Sequence, residues 1–418
     1  MKKNFRWTII GLIFTATIIN YLDRSALSYA ITPIKNLFHL SDASFGFIAS
    51  GFGIGYLVMT IGGGILVDRF GAGRVWTFAA ILWSVVSIFM GLAAGFTTLM
   101  LLRILLGVAE GPAFPALSRA IADWLPSHER ATAFGIGLCA VPLASVIGAP
   151  LISSLILTLG WRWMFVVLGI LGIIWTVIWV TLFRDRPKDS PHVSAEELKI
   201  ISESGTVPET QHRFTTRAEW RFILLDRSLL ANNFAFFSFG YLLFFALSWL
   251  PGYFEQTFGV HLNQLAVFLI APWLLATILI LVGGRFSDYM WQKTKNIRKA
   301  RSHIIWICQI ISAICFIPVI LTNSLTIALV FITLGIAIGL MPNAAFYAIN
   351  TDLARERAGT ALGVMDAAFA LGGILAPSLT GLISHVTGSF NSAFILMIVL
   401  TILSALGIIF FQKPETHD

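Results

Sequence analysis

Four ionisable side chains lie inside stretches otherwise apolar enough to cross a membrane: Asp23 and Arg24 in one, Arg103 and Glu110 in another. Charge at membrane depth is costly, so such residues face a bundle interior or a watery cavity and mark a path for substrate or protons. A carboxylate can carry a proton. A guanidinium presents a planar fork that grips an anionic group through two hydrogen bonds. Arg103 and Glu110 stand seven residues apart, two helical turns, and so share one face about 10 Å along its axis.

The elements that must position them are membrane helices. Of 418 residues, 57% are hydrophobic and 12% charged, with a mean hydropathy of +0.84. A soluble domain carries about twice that charge. The length holds about a dozen spans of about 20 residues joined by short loops. Apolar stretches run near 8–32, 44–66, 75–95, 97–122, 131–157, 163–183, 223–250, 263–284, 303–321, 325–349, 358–384 and 391–411. The first contains charges and is followed by many others, so it reads as a span and not as a cleaved signal.

Lysine and arginine fix the orientation. Lys2, Lys3, Arg6, Arg69, Arg74, Arg130, Arg184, Arg186, Lys188, Lys293, Lys295, Arg298, Lys299, Arg301, Arg355, Arg357 and Lys413 fall at ends and loops of one side, against Lys35 and Arg162 on the other. Positive loops stay in the cytoplasm, which predicts an even number of spans and both termini on the cytoplasmic face. The net charge of +7 is then a topology signal. Scattered over loops, it argues against a nucleic-acid surface. Span one runs outward and span four inward, which puts Asp23-Arg24 level with Arg103 and Glu110 and predicts charges paired across a cavity. A purely structural salt-bridge network is the competing reading, although serine and glycine contacts join helices at less cost.

Other patterns are weaker. Cys139, Cys308 and Cys315 lie within spans without metal-ligand or disulfide spacing and read as small core residues; no metal is expected. Gly51-Phe-Gly53-Ile-Gly55 imitates a dinucleotide loop but has no preceding strand, so it reads as close helix packing, as does Gly372-Gly373. No Gly-x4-Gly-Lys-Ser/Thr loop and no His-Glu-x-x-His pair occurs, which argues against an ATP-driven pump, an enzyme or a bound cofactor. His128 and His303 are expected to be solvated at cytoplasmic helix ends, and His261 and His385 lie near the outer face. Tyr241 and Trp249 in span seven are candidates to line a cavity.

The chain repeats itself. Gly64 and Asp68 return as Gly284 and Asp288, Glu129-Arg130-Ala131 as Glu356-Arg357-Ala358, and Ala149-Pro150 as Ala376-Pro377. Each copy sits at the corresponding point of a six-span set with cytoplasmic charge on the same side, as two parallel repeats about an axis along the membrane normal require. The expected organisation is a first bundle over 1–183, a cytoplasmic linker over 184–221 and a second bundle over 222–418. Charged side chains crowd the linker, and Ser194-Ala-Glu-Glu197 has capping-box spacing that opens a short amphipathic helix from Glu196 to Ser202.

Gly64-Ile-Leu-Val-Asp68-Arg69-Phe-Gly71-Ala-Gly-Arg74, between spans two and three, resembles the signature loop of the major facilitator superfamily. Gly64 lets helices approach closely, Asp68 can cap or pair with a neighbouring helix end, and Arg69 and Arg74 anchor the cytoplasmic face; with the echo at Asp288 these are the gating candidates. More narrowly, Asn20-Tyr21-Leu22-Asp23-Arg24, the run from Arg103 through Glu110-Gly-Pro112 to Pro115, and Trp124-Leu-Pro126-Ser-His-Glu129-Arg130 resemble the anion:cation symporters. That family includes bacterial galactonate, glucarate, hexuronate and phthalate carriers and the animal sialic acid and vesicular glutamate transporters. The resemblance implies an all-α membrane protein of twelve transmembrane helices in two parallel six-helix pseudo-repeats, importing an organic anion with protons. It assigns proton binding to Asp23 and Glu110, and substrate contact to Arg24, Arg103 and Tyr56, with Tyr21 in the same motif.

The chain also departs from those relatives. Asp366 in span eleven stands where the sugar-acid carriers have an asparagine, and Val141-Pro142 where the galactonate type has a glutamine. An acid at 366 can be a second proton site, a contact for a substrate amino or hydroxyl group, or a structural hydrogen bond. The glycine-rich exporter signature is missing from span five, which favours symport over efflux. In the coupling scheme this suggests, an ionised carboxylate satisfies an arginine until a proton releases that arginine to the substrate. Alternating access about a central site then moves the cargo. The expected partners are a small organic anion, protons and membrane lipids, with a single chain as the working unit. A carrier of a zwitterionic or cation-bearing acid, and a membrane sensor that binds without transport, are the alternatives.

Overall fold

The computed structural model describes residues 4–203, 217–294, 296–354 and 358–412. Lys2, Lys3, Lys295, Arg355, Arg357, Lys413 and the second-copy Glu356-Arg357 lie outside them, as do the side chains of Asp68 and His128. Long apolar stretches have no water to satisfy their backbone, so each N–H and C=O must find its partner within a helix. Twelve helical spans long and apolar enough to cross a membrane result: Phe5–Tyr29, Asp42–Thr60, Ala72–Met90, Phe96–Trp124, Thr132–Leu159, Trp161–Leu182, Arg227–Phe258, Leu262–Thr294, Arg298–Leu321, Leu325–Asn350, Thr360–Thr387 and Asn391–Phe411. They correspond one for one to the expected stretches, and the span-two helix runs on to Phe70.

Two spans are broken at matching points of the repeat. Span four consists of helices Phe96–Glu110 and Ala113–Trp124, and span ten of Leu325–Leu340 and Asn343–Ala354. Pro112 and Pro342 stand at the breaks. Proline offers no N–H and its ring crowds the carbonyl four residues back, so the ladder stops. In span four the first helix therefore ends on Glu110 itself.

Span two packs along span eleven, span five against span eight and span one against span seven, and through these pairs the first six spans meet the last six. Glycines set the distance. A Cβ on Gly46 would lie 2.5 Å from the Pro377 carbonyl oxygen, and one on Gly53 2.7 Å from the Gly373 carbonyl carbon. Within the first six spans Gly55 and Gly107 face each other's helices, and a Cβ on either would collide with the carbonyl of Ile104 or Phe52. The Gly51–Gly55 run is thus a packing device. Gly64 is not: nothing lies within 4 Å of a Cβ there, and the pressed residue is Gly63, where a Cβ would lie 2.7 Å from Pro112 Cα. In the half of the bundle remote from the termini, two hydrogen bonds cross between the six-span sets. Ser50 Oγ donates to the Ile374 carbonyl at 2.7 Å and Ser384 Oγ to Asp42 at 3.3 Å, while Asp42 also pairs with Lys35.

The linker is anchored to the first six spans. Helix Ala195–Glu203 starts as the capping spacing predicts, with Ser194 Oγ accepting the Glu197 N–H at 3.2 Å. The Glu197 carboxylate, however, turns away from its own helix. It accepts the N–H groups of Phe5 at 3.1 Å and Arg6 at 3.0 Å, at the open start of span one, and pairs with the Arg6 guanidinium at 3.2 Å. Arg6 also pairs with Glu129 at 2.8 Å. The first N–H groups of a helix lack intrahelical partners and carry partial positive charge, so they attract a carboxylate strongly. Only half of the expected capping box forms.

Candidate functional site

The last turns of span one, from Asn20 to Tyr29, are buried throughout, because they run through the middle of the bundle with neighbours on all sides. Arg24 projects there toward the break in span four. Its Nε donates to Glu110 Oε2 at 2.6 Å, with the two side chains only 2% and 0% exposed. Glu110 closes a helix, where the backbone dipole presents its negative end, so the carboxylate has a local need for a cation that Arg24 meets. Three rings wall the guanidinium: its central carbon lies 4.4 Å from the Tyr21 centroid, 4.7 Å from Phe52 and 4.9 Å from Tyr56. Ring faces attract cations and leave the fork's edge free for hydrogen bonds.

Arg103 approaches the same aromatic surface, 5.3 Å from the Phe52 centroid. Its Nε and Nη1 donate no hydrogen bond among the described residues, and neither does Nη1 of Arg24. Asp23, 1% exposed, has Ser87 and Arg103 as polar neighbours, yet neither of its oxygens accepts a hydrogen bond. The expectation of two charge pairs across a cavity is therefore half met. Arg24–Glu110 closes; Asp23–Arg103 stays open, because the Arg103 fork turns toward Phe52. Two guanidiniums with unused N–H groups thus share one phenyl ring, and what they lack is hydrogen-bond acceptors.

The last six spans contribute a different set. Asp366 is in span eleven, partly exposed, and Tyr347 of span ten donates its hydroxyl to Asp366 Oδ1 at 3.5 Å. Asp366 acts electrostatically on Tyr21 and Tyr56, the tyrosines whose rings lie against the Arg24 guanidinium. Asn350 Nδ2 donates to Asn233 Oδ1 at 3.3 Å and Asn232 Nδ2 to the Phe346 carbonyl at 3.1 Å, tying span seven to span ten behind this pair. Tyr347 was not among the sequence candidates. The signal was there in Pro342, which breaks span ten as Pro112 breaks span four and precedes the short helix that carries Tyr347.

Tyr241 and Trp249 sit elsewhere. Tyr241 is 1% exposed, with its backbone against Gly372 and its ring beside Phe237. Trp249 donates its indole N–H to the Pro377 carbonyl at 3.0 Å and packs against Phe45 and Phe390, so it holds helices instead of lining a chamber. On the terminal side, Arg69 and Arg74 are exposed, with Arg69 over the ring of Phe70, and Asp288 pairs with Arg301 at 2.8 Å. A carboxylate-to-helix-end contact of the kind expected of Asp68 is made by Asp185 of the linker, which accepts the Gly73 N–H at 2.7 Å where span three begins. His303 is not simply solvated: its Nδ1 accepts the Trp306 indole N–H at 2.9 Å.

Comparison with known proteins extends over the full length. The sequence profile of the Major Facilitator Superfamily matches residues 13–365 and 296–418. A hexuronate transporter of Bacillus subtilis is 32% identical over 97% of this chain and 94% of its own. A probable sulfoacetate transporter of Cupriavidus necator is 30% identical over 99% and 95%, and a probable galactarate/D-glucarate transporter of Escherichia coli 31% identical over 93% and 90%. Among solved structures, a bacterial homologue of the human lysosomal transporter Spinster, inward-facing and unoccupied, superposes with a TM-score of 0.81 at 19% identity, covering 99% of this chain and 98% of that one. A D-xylose-proton symporter gives a TM-score of 0.76 at 15% identity over 97% and 98%.

Proposed function

The chain belongs to the major facilitator superfamily and is a multi-pass membrane transporter, not an enzyme; from that premise we propose that it imports a small organic anion together with protons, across a bacterial inner membrane with both termini in the cytoplasm. The observation that carries this reading is the buried Arg24–Glu110 pair, set beside an Arg103 whose Nε and Nη1 groups are unused. Hexuronate, sulfoacetate and galactarate/D-glucarate name the cargo of relatives that span nearly all of the chain, and each is an anion. Two arginines can hold such a group.

Proton coupling follows from exchange of partners. While Glu110 is ionised, it occupies the Arg24 edge that points toward it. A proton on Glu110 removes the charge, releases that edge to the substrate and leaves the loaded site closer to neutral. Asp23, next to Arg103 and without a hydrogen bond, is the second proton carrier in this scheme. Neutralising buried charge lowers the barrier to moving a loaded site past the apolar bundle.

Reorientation is a rocking of residues 1–183 against residues 222–418 about the central site, with the linker and membrane lipids as the surroundings and one chain as the working unit. Span two against span eleven and span five against span eight are the surfaces that slide. Asp68, Arg69, Arg74 and Asp288 are the gating residues on the cytoplasmic side, and Asp42, Lys35 and Ser384 fasten the outer side. The test is uptake into proteoliposomes. An inward pH gradient should drive accumulation of a hexuronate or another organic anion, and dissipating the gradient should abolish it. Accumulation that ignores the pH gradient removes proton coupling from the reading.

A further inference from the structure

We propose that Asp366 and Tyr347 select the far end of the cargo, so that the site takes a monoanion whose distal groups donate hydrogen bonds and rejects a molecule with an anionic group at both ends. The proposal rests on the organic-anion reading above and sharpens it to a substrate class.

The site is electrically asymmetric. Both arginines belong to spans one and four, and their unused N–H groups, on Arg103 Nε and Nη1 and Arg24 Nη1, define the end that receives an anion. The opposing surface, from spans ten and eleven, presents a carboxyl group. Its hydrogen bond from Tyr347 is 3.5 Å long, at the edge of a useful interaction, so Asp366 retains most of its capacity to accept. Tyr347 and Asp366 are both partly exposed, unlike the buried Tyr21 and Tyr56 across from them, and so are reachable by a bound molecule. The charged and titratable groups that act on Asp366 from the packed elements are tyrosines: Tyr347 of span ten, Tyr21 of span one and Tyr56 of span two. Among the described residues no lysine or arginine stands against it.

A hydroxyl or ammonium group placed there gives Asp366 a second and stronger donor than the long bond from Tyr347. A second carboxylate or a sulfonate sets acceptor against acceptor among largely buried side chains, where like charges repel far more than in water. Selectivity of this kind comes from the repulsive contact as much as from the attractive one. The cargo therefore resembles an aldonic or uronic acid, or an amino acid, in having one anionic end and one donor-rich end.

The experiment is a binding panel on the purified full chain at constant ionic strength and neutral pH: D-galacturonate and D-gluconate as monoanions, D-glucarate, D-galactarate and sulfoacetate as dianions. We expect the best monoanion to bind at least about tenfold more tightly than any dianion, a factor equal to about 1.4 kcal/mol. Asp366→Asn should recover most of that factor for the dianions, while Tyr347→Phe should weaken the monoanions without helping the dianions. Dianions that match the monoanions on the parent protein overturn the proposal and leave the organic-anion reading intact. An unchanged ratio in Asp366→Asn likewise overturns it. If no anion of either class binds, the organic-anion reading falls and the proposal with it. The parent's ratio decides even where a variant fails to fold.

Discussion

The two six-span sets share a repeat, a broken helix and a direction in the membrane, yet they divide the chemistry unequally. Spans one and four carry Asp23, Arg24, Arg103 and Glu110, with three aromatic rings around Arg24 and one of them shared with Arg103. Spans ten and eleven offer Tyr347 and Asp366, backed by the amides of Asn232, Asn233 and Asn350. The difference teaches that the repeat fixes the helices and not their side chains: one set concentrates ions, the other a single acid among hydroxyl and amide groups. A chemistry that needs cations to face protonatable acids at close range is easiest to build from two crossing helices, and the Gly55–Gly107 contact lets spans two and four approach closely enough to frame it.

The sharpest way to break this comparison is to remove coupling from the charged side alone. Glu110→Gln keeps an acceptor for Arg24 and mimics the protonated acid, so uptake driven by a pH gradient should fall by about a hundredfold or more, the scale expected when an essential proton carrier is lost. Counterflow exchange in the same vesicles should persist. Gradient-driven accumulation by this variant would show that Glu110 is not the coupling group.

A smaller loss is expected from Arg103→Lys and Arg24→Lys. Lysine keeps the charge and loses the planar fork, which should cost about 2–5 kcal/mol in substrate affinity, measured by titration of the detergent-solubilised protein. Affinities within about twofold of the parent for both variants, well inside one tenfold step, would reduce the arginines to structural ties. Asp366→Asn belongs below these in size, since it alters preference more than strength.

Next comes the contact between the two sets. Gly53→Leu places a side chain against the Gly373 backbone, so the halves must separate where span two crosses span eleven. Overpacking of this kind costs about 1–3 kcal/mol, and a thermal-unfolding midpoint equal to the parent's would show that the crossing yields freely. The smallest effect should come from Ser50→Ala, which removes one hydrogen bond to Ile374 worth about 1 kcal/mol. Its signature is kinetic: more frequent opening on the side remote from the termini, read as faster labelling of a cysteine placed there. Labelling at the parent's rate would leave this bond without a part in closure.

Much of this was legible in the chain. Twelve spans follow from apolar length alone, because a helix is the cheapest way to satisfy a backbone without water. The quartet was legible because ions inside apolar stretches stand out against their surroundings, and seven-residue spacing puts Arg103 and Glu110 on one face. Glycine runs in span two announced close packing, although only the folded bundle shows that Gly63, and not Gly64, is the pressed position.

What sequence could not assign are the partners. Glu197 and Ser194 carry a capping pattern, but an unfilled helix start nearly 200 positions earlier in the chain competes for the carboxylate and takes it. Asp185 accepts the Gly73 N–H at the start of span three, and Trp249 spends its N–H on a helix carbonyl, contacts that no local pattern marks. Tyr347 is an ordinary tyrosine until Asp366 arrives from another span. Hydropathy and charge are properties of short stretches, so the sequence by itself determined which segments enter the membrane and which residues are too polar to be there without a task. Hydrogen bonds and ion pairs join atoms within about 3 Å, a distance set by how helices cross, and so the tertiary structure alone decided that Arg24 meets Glu110 while Arg103 and Asp23 keep their bonding capacity free.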